Sequence, residues 1–316
     1  MNVQEELLRG RIDPHLTDEN LSRLTGGRVK GYRVLTGGCW NRVIGVRSGE
    51  AELVLKISPH EHDENIIREY RVLEVFARET EMPVPTPLHL DAADGVLPGT
   101  TLVMTRLPGR VMHEAFGVLD GAARRRIVDE IAEHVTALHR IRGRGFGGVE
   151  LPEEERLASW PAFWLPRLDR VLDEAEESGA VPQSLIDQAR RVRPYLGPFL
   201  DIGEQATMTH YDIWAGNVMI DIHSDPPRVS GYIDVPGHFA DYARELSFAM
   251  LFGVADRHFL EIYGSEHSFD EGFPLRVNIY NLRTNMKHIQ MYPSQSVYHE
   301  GATENLQAIH RALDGR

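Results

Sequence analysis

Between positions 209 and 217 the chain reads Thr209-His210-Tyr211-Asp212-Ile213-Trp214-Ala215-Gly216-Asn217, and Ile233-Asp234 follows. Asp212 and Asn217 lie five apart in a short polar turn, ahead of the β-rich residues Val218, Met219 and Ile220. The turn formers Ser224-Asp225-Pro226-Pro227 then reverse the chain before the run from Val229 to Ile233. If the two apolar runs pair as an antiparallel hairpin, Asn217 enters its first strand and Asp234 leaves its second, so both stand at the open end. Two oxygen ligands seventeen residues apart then face one hard cation, with Asp212 just outside. Few oxygen ligands, leaving room for waters and phosphates, is the pattern of a magnesium–nucleotide centre.

The elements that position this centre can be read upstream. Leu53-Val54-Leu55-Lys56-Ile57 is an apolar strand interrupted by one lysine. A helix is expected from Asn65 to Arg78, where Ile66, Leu73 and Phe76 share the face of Glu69. A carboxylate on that apolar stripe requires a partner, because an unpaired buried charge is costly, and Lys56 is the candidate. Gly37 and Gly38 lie between the strand-like runs Gly31 to Leu35 and Val43 to Val46, so they make a hairpin tip whose backbone N–H groups can face phosphate. Met82 to Pro87 is a proline-spaced extended connector. Leu88 to Asp91 and Thr101 to Met104 read as strands, the second running into Thr105-Arg106-Leu107-Pro108-Gly109. From Leu119 onward the pattern turns helical: Ile127, Ile131, Val135, Leu138 and Ile141 form one stripe, with His134 and His139 read as packing or surface residues. Further helices are expected at Trp160 to Glu177, Ser184 to Leu196, Ala243 to Leu251 and through the C-terminal third.

The ordered set H-x-D-x-x-x-x-N, a short hairpin and I-D resembles the active-site core of the protein-kinase-like small-molecule phosphotransferases, which include aminoglycoside phosphotransferases and fructosamine kinases. Trp214-x-Gly216-Asn217 and the run Glu245 to Gly253 are similar to the fructosamine kinase pattern. The resemblance implies an α+β, two-lobed protein-kinase-like fold, with an antiparallel-sheet N-terminal lobe over residues 1–106 and a mainly helical C-terminal lobe over residues 107–316. It implies ATP and Mg²⁺ as cofactors, with Asp212 as the base that orients the attacking hydroxyl and Asn217 and Asp234 as metal ligands. Gly37, Gly38 and Asn41 would cover the phosphates, Lys56 set by Glu69 would meet them, and Met104, Thr105 and Leu107 would receive the adenine. Glu245 would brace the catalytic loop, and Trp214, Asp241 and Glu245 are the residues expected on the acceptor side. The chain departs from the family pattern at Tyr211, where glycine is usual, at Pro236-Gly237-His238, and at Glu245, where aspartate is usual. Phosphoryl transfer to a small-molecule hydroxyl is the expected reaction; the alternative is a catalytically silent nucleotide- or partner-binding module, which Tyr211 motivates.

Composition narrows the classes. A net charge of −13 lacks the basic footprint of a nucleic-acid binder. An acidic balance suits a cationic acceptor, although it also simply keeps a protein soluble. Glu153-Glu154-Glu155 reads either as contacts for such an acceptor or as a solvated helix start. No apolar run approaches the ~20 residues of a membrane span, the first thirteen residues do not read as a secretory signal, and the single cysteine, Cys39, suits a reducing cytoplasm. The fifteen histidines suggest a metal-dependent hydrolase only by number, since they are scattered rather than clustered at ligand spacing.

Overall fold

Strand alternation and turn glycines produce an antiparallel sheet of β1 (Val29–Val34), β2 (Arg42–Ser48), β3 (Ala51–Ser58), β4 (Pro87–Asp91) and β5 (Thr100–Thr105), in the order β1-β2-β3-β5-β4. The structure, a computed structural model, describes residues 12–35, 41–92, 95–204 and 206–315. Period two along β3 sends Leu53, Leu55 and Ile57 to one face, where they pack with Ile44, Val46, Val103 and helix α1 (Asp18–Thr25) in a small core. Val54 and Lys56 point to the other face, toward helix α2 (Glu64–Glu79). Asp63 caps α2 by accepting from the backbone N–H groups of Asn65 and Ile66, and Ile66, Val72, Leu73 and Phe76 form its buried stripe.

β5 leaves the sheet through 106–109 and returns as β6 (Arg110–Val111). Gly109 sits at φ +94°, and a Cβ there would lie 1.9 Å from the carbonyl oxygen of Ile220, so only glycine permits this approach. β6 joins β10 (Val218–Asp221) and β11 (Arg228–Tyr232) in a three-stranded sheet. The β10–β11 hairpin is antiparallel with Val218 opposite Tyr232, as the turn formers at 224–227 imply. A second small sheet, in the order β7-β9-β12-β8, is built from β7 (Arg142–Gly143), β8 (Gly147–Gly148), β9 (Ala206–Thr209) and β12 (His238–Ala240).

Around these strands the C-terminal part is helical: α3 (Gly121–His139), α4 (Trp160–Ser178), α5 (Gln183–Val192), α6 (Tyr242–Leu251), α7 (Arg257–Glu266), α8 (Phe273–Met291) and α9 (Ser296–Asp314). Ile127, Ile131, Val135 and Leu138 of α3 are buried in a core that also takes Trp160, Trp164 and Leu168 of α4 and Tyr280 and Met286 of α8. The expected helix from Ser184 to Leu196 stops at Val192 and continues only as a tight turn over Arg193–Tyr195. Pro194 has no N–H to donate into the helix and its ring crowds the preceding turn. The fold is thus mixed α+β, with an antiparallel-sheet N-terminal part and a mainly helical C-terminal part.

Candidate active site

Three segments meet where β9 ends. Asp212 opens the turn that leads into β10, Asn217 immediately precedes β10, and Asp234 follows β11. The Asn217 amide donates to the Asp212 backbone carbonyl at 3.0 Å and to its carboxylate Oδ2 at 2.8 Å. The Ile233 N–H donates to the Asn217 carbonyl at 2.9 Å, which sets Asp234 beside Asn217 at the open end of the hairpin. Lys56 reaches across from β3: its Nζ lies 2.6 Å from Glu69 Oε2 and 2.7 Å from Asp234 Oδ1. One ammonium therefore links the sheet, α2 and the hairpin.

The turn is held from behind. The Tyr211 N–H donates to Glu245 Oε1 at 2.9 Å, and the other oxygen of Glu245 is 2.7 Å from Nε2 of His139. His139 Nδ1 in turn meets the Tyr263 hydroxyl at 2.9 Å. Glu245 and His139 are fully buried, so α6, α3 and α7 together fix the backbone next to Asp212. Tyr211 and Asp234 both adopt left-handed backbone, at φ +80° and φ +52°. Such conformations cost of order 1–3 kcal/mol for a residue with a side chain and persist only where the surroundings enforce them.

Burial would push the Lys56 ammonium down, but the charges and hydrogen bonds of Glu69 and Asp234 outweigh it and hold Lys56 above the ordinary lysine range. Burial lifts the Asp212 carboxyl from 3.8 to about 6; Asp234 and Glu245 add to the rise, whereas Arg244 and the Asn217 amide oppose it. A carboxylate there is a stronger base than an exposed aspartate and still ionised at neutral pH. Burial likewise drives the imidazole of His210 from 6.5 down to about 4. The unfolded chain takes up that proton near 6.5 and the folded chain only near 4. Stability is therefore full above pH 6.5 and declines toward pH 4, by roughly 1.4 kcal/mol per pH unit for this group. Urea midpoints between pH 7.5 and 4.5 should show the decline, and His210→Gln should flatten it; an unchanged slope in that variant would contradict the assignment.

The donor set suits a hard cation. Asn217 spends its amide nitrogen on Asp212, and Asp234 gives one oxygen to Lys56; among the described residues Asn217 Oδ1 and the second Asp234 oxygen have no hydrogen-bond donor, and the Asp234 side chain is 53% exposed. Among the described residues no group of three or more His, Cys, Asp or Glu is gathered for a metal. A cation held by Asn217 and Asp234 would fill its remaining positions with phosphate and water oxygens.

The other expected site residues divide. Gly37 and Gly38 lie outside the described residues, and Asn41, half-buried, directly precedes β2. Met104 is buried behind the 106–109 connection. Of the backbone groups expected to meet an adenine edge, the Thr105 N–H donates to the Thr86 carbonyl at 3.0 Å, and the Leu107 N–H has no such partner among the described residues. The Trp214 indole is 40% exposed and folds over Gly216, where a Cβ would lie 2.3 Å from the ring. Asp241, expected at the acceptor, is fully buried: it caps α6 at Ala243, and its Oδ2 receives Arg276 Nε at 2.6 Å and the Tyr280 hydroxyl at 2.5 Å. Glu245 likewise has no free oxygen to offer a substrate. Sequence reasoning missed His139 as the partner of Glu245 and missed Arg244, whose guanidinium carbon lies 4.6 Å from the Tyr211 ring centroid. No spacing rule points to either, because their partners are distant in the chain.

A sequence model of the phosphotransferase enzyme family matches residues 31–235, well over half of the chain. No curated protein matches the sequence. Among solved structures, the chain is similar to a candidate fructosamine-3-kinase from Thermobifida fusca, with a TM-score of 0.71 at 20% identity over 94% of this chain and 99% of that one. It is similar to a second candidate fructosamine-3-kinase, from Haemophilus somnus, with a TM-score of 0.71 at 18% identity over 96% and 99%. A thermostable mutant of aminoglycoside phosphotransferase APH(4)-Ia, in ternary complex with ADP and hygromycin B, matches with a TM-score of 0.64 at 15% identity over 93% and 97%.

Proposed function

We propose that this chain, which belongs to the phosphotransferase enzyme family, transfers the γ-phosphate of ATP to a hydroxyl of a small molecule, with Asp212 as the base. The observation that carries the reading is the convergence of Asp212, Asn217, Asp234 and Lys56 at the open end of one hairpin. The acceptor hydroxyl gives its proton to Asp212 as its oxygen bonds to the γ-phosphorus, the β–γ bridging bond breaks, and ADP leaves. Lys56, held charged by Glu69, faces the phosphates, and the nucleotide base lies along the 106–109 connection near Met104 and Leu107. Asn217 and Asp234 would hold Mg²⁺, which supplies charge neutralisation on the phosphate oxygens when bound. Asn41, with Gly37 and Gly38 ahead of it, would cover the phosphates from the sheet side. The functional lobes divide at 106/107, and the cleft between them is the active site. No helix among the described residues is long and apolar enough to cross a membrane, and we assign the enzyme to the cytoplasm.

The test is magnesium-dependent nucleotide binding together with ADP release on a panel of hydroxyl compounds. Asp234→Ala is expected to weaken binding of Mg²⁺–AMP-PNP by at least tenfold, because it removes one metal ligand and one of the two anchors of Lys56. Nucleotide affinity that is the same with EDTA, or the same in this variant, would overturn the metal assignment. Saturable ATP binding without turnover on any acceptor would point to a silent binding module.

A further inference from the structure

Beside the base lie three arginines that make no ion pair among the described residues, although Arg244 is close enough to hold the Asp212 carboxyl down. Arg244, on α6 immediately before Glu245, is only 5% exposed. Its guanidinium stacks between Tyr211 and Phe248, with the central carbon 4.6 Å and 5.1 Å from the two ring centroids. Its Nη1 is buried and has no hydrogen-bond partner among the described residues. Tyr211 continues into the same patch: its ring centroid lies 4.3 Å from that of His238, which lies 5.6 Å from that of Phe163. Arg167 on α4 covers Phe163 at 3.5 Å, and Arg283 on α8 donates from Nε to the Arg167 carbonyl at 3.2 Å. Among the described residues none of these three arginines makes an ion pair, whereas nearby carboxylates are already engaged: Glu150 by Arg68, Asp241 by Arg276, Glu174 by Lys287 and Glu245 by His139.

Burying a guanidinium such as that of Arg244 without an ion-pair partner is costly, and the half-buried Arg167 and Arg283 nearby add like charge. Burial pushes Arg283 down to about 10; Arg244 and Arg167 add to that depression, whereas Tyr211 and Glu174 oppose it. His238 is driven well below its ordinary value by burial and by Arg68, Arg167 and Arg244. Perturbed groups of this kind, beside the side chain next to the base, accompany ligand subsites. The planar guanidinium fork matches the two oxygens of a carboxylate, phosphate or sulfate, and stacking on aromatic rings keeps its edge free to donate.

We propose, on the premise of the phosphotransfer reading, that the acceptor is anionic: a hydroxyl compound whose carboxylate, phosphate or sulfate is received by Arg244, Arg167 and Arg283 while its hydroxyl faces Asp212. The net charge of −13, which suggests a cationic acceptor, is a sum over the whole chain and does not describe this patch.

The test measures ADP release with Mg²⁺–ATP on matched acceptors: glycerol, ethanolamine, glycerate, glycerol 3-phosphate and the polyamine kanamycin. Glycerate or glycerol 3-phosphate should be preferred over the neutral and ammonium compounds, and the difference between those two tells carboxylate from phosphate. Arg283→Gln should raise KM for the preferred anion about 10–100-fold with kcat and the Mg²⁺–AMP-PNP affinity nearly kept. Arg244→Gln should raise KM likewise while also moving the acidic limb of the rate upward, because Arg244 holds the Asp212 carboxyl down. Arg244→Lys should restore only part of the loss. Preferred turnover of ethanolamine or kanamycin, with KM indifferent to both variants, overturns the inference and leaves phosphotransfer standing. Should nucleotide binding or turnover itself be lacking, calorimetric titration of inorganic sulfate decides the matter: binding that is lost in both variants supports the arginine subsite, and identical isotherms in wild type and variants overturn it.

Discussion

Asp212→Asn is expected to lower kcat by about 10²–10⁴, the usual cost of losing a positioned general base, while Mg²⁺–nucleotide affinity stays within a few-fold of wild type. Asparagine keeps the shape of the side chain and can still meet the Asn217 amide, which donates at 2.8 Å, so the loss reports basicity rather than collapse of the turn. The wild-type rate should also fall below about pH 6, where the carboxyl is protonated and cannot accept the hydroxyl proton. That acidic limb should be missing from the residual rate of Asp212→Asn. A variant that retains a near-normal rate, or the same acidic limb, would show that another group takes the proton.

The second large effect concerns folding. Arg276 is 4% exposed and holds the fully buried Asp241 at 2.6 Å and Asp270 at 2.7 and 2.8 Å. Arg276→Met leaves Asp241 buried with only the Tyr280 hydroxyl and the Ala243 N–H for company. Stranding a buried carboxylate in this way costs about 3–5 kcal/mol. Chemical denaturation should show the loss, and Arg276→Met combined with Asp241→Asn should recover part of it, because the second change removes the stranded charge. If the double variant is no more stable than the single one, the loss comes from packing around the arginine stem instead. Because Asp241 caps the helix that carries Arg244 and Glu245, Arg276→Met should also disturb the catalytic turn.

These two sites differ in how far they could be read from the chain. The Lys56–Glu69 pair was legible because each residue interrupts an apolar pattern whose period is clear, and a buried charge on a stripe demands an opposite one. The hairpin that brings Asn217 to Asp234 was legible for a related reason: turn formers stand midway between two β-rich runs. The burial of Asp241 was not, since Arg276 lies thirty-five residues later on another helix. The contact of His139 with Glu245 spans 106 positions and left the histidine looking like an ordinary helix residue. β6, β7 and β8 contain two residues each, too few for alternation to register. The stacking of Arg244 on Tyr211 had no signal either, because one lies on α6 and the other in the turn after β9, and only tertiary packing brings them together.

Glu245 takes hold of residue 211 by its main-chain N–H and ignores the phenol ring. Every amino acid except proline offers that same handle. That anchor for the neighbouring aspartate is therefore independent of the side chain at 211, which faces the Arg244 and His238 side chains, although the left-handed backbone there still favours glycine over a branched residue. Exchange of the ring for another that tolerates this backbone would then reshape the wall next to Asp212 while the grip of Glu245 on the main chain stays.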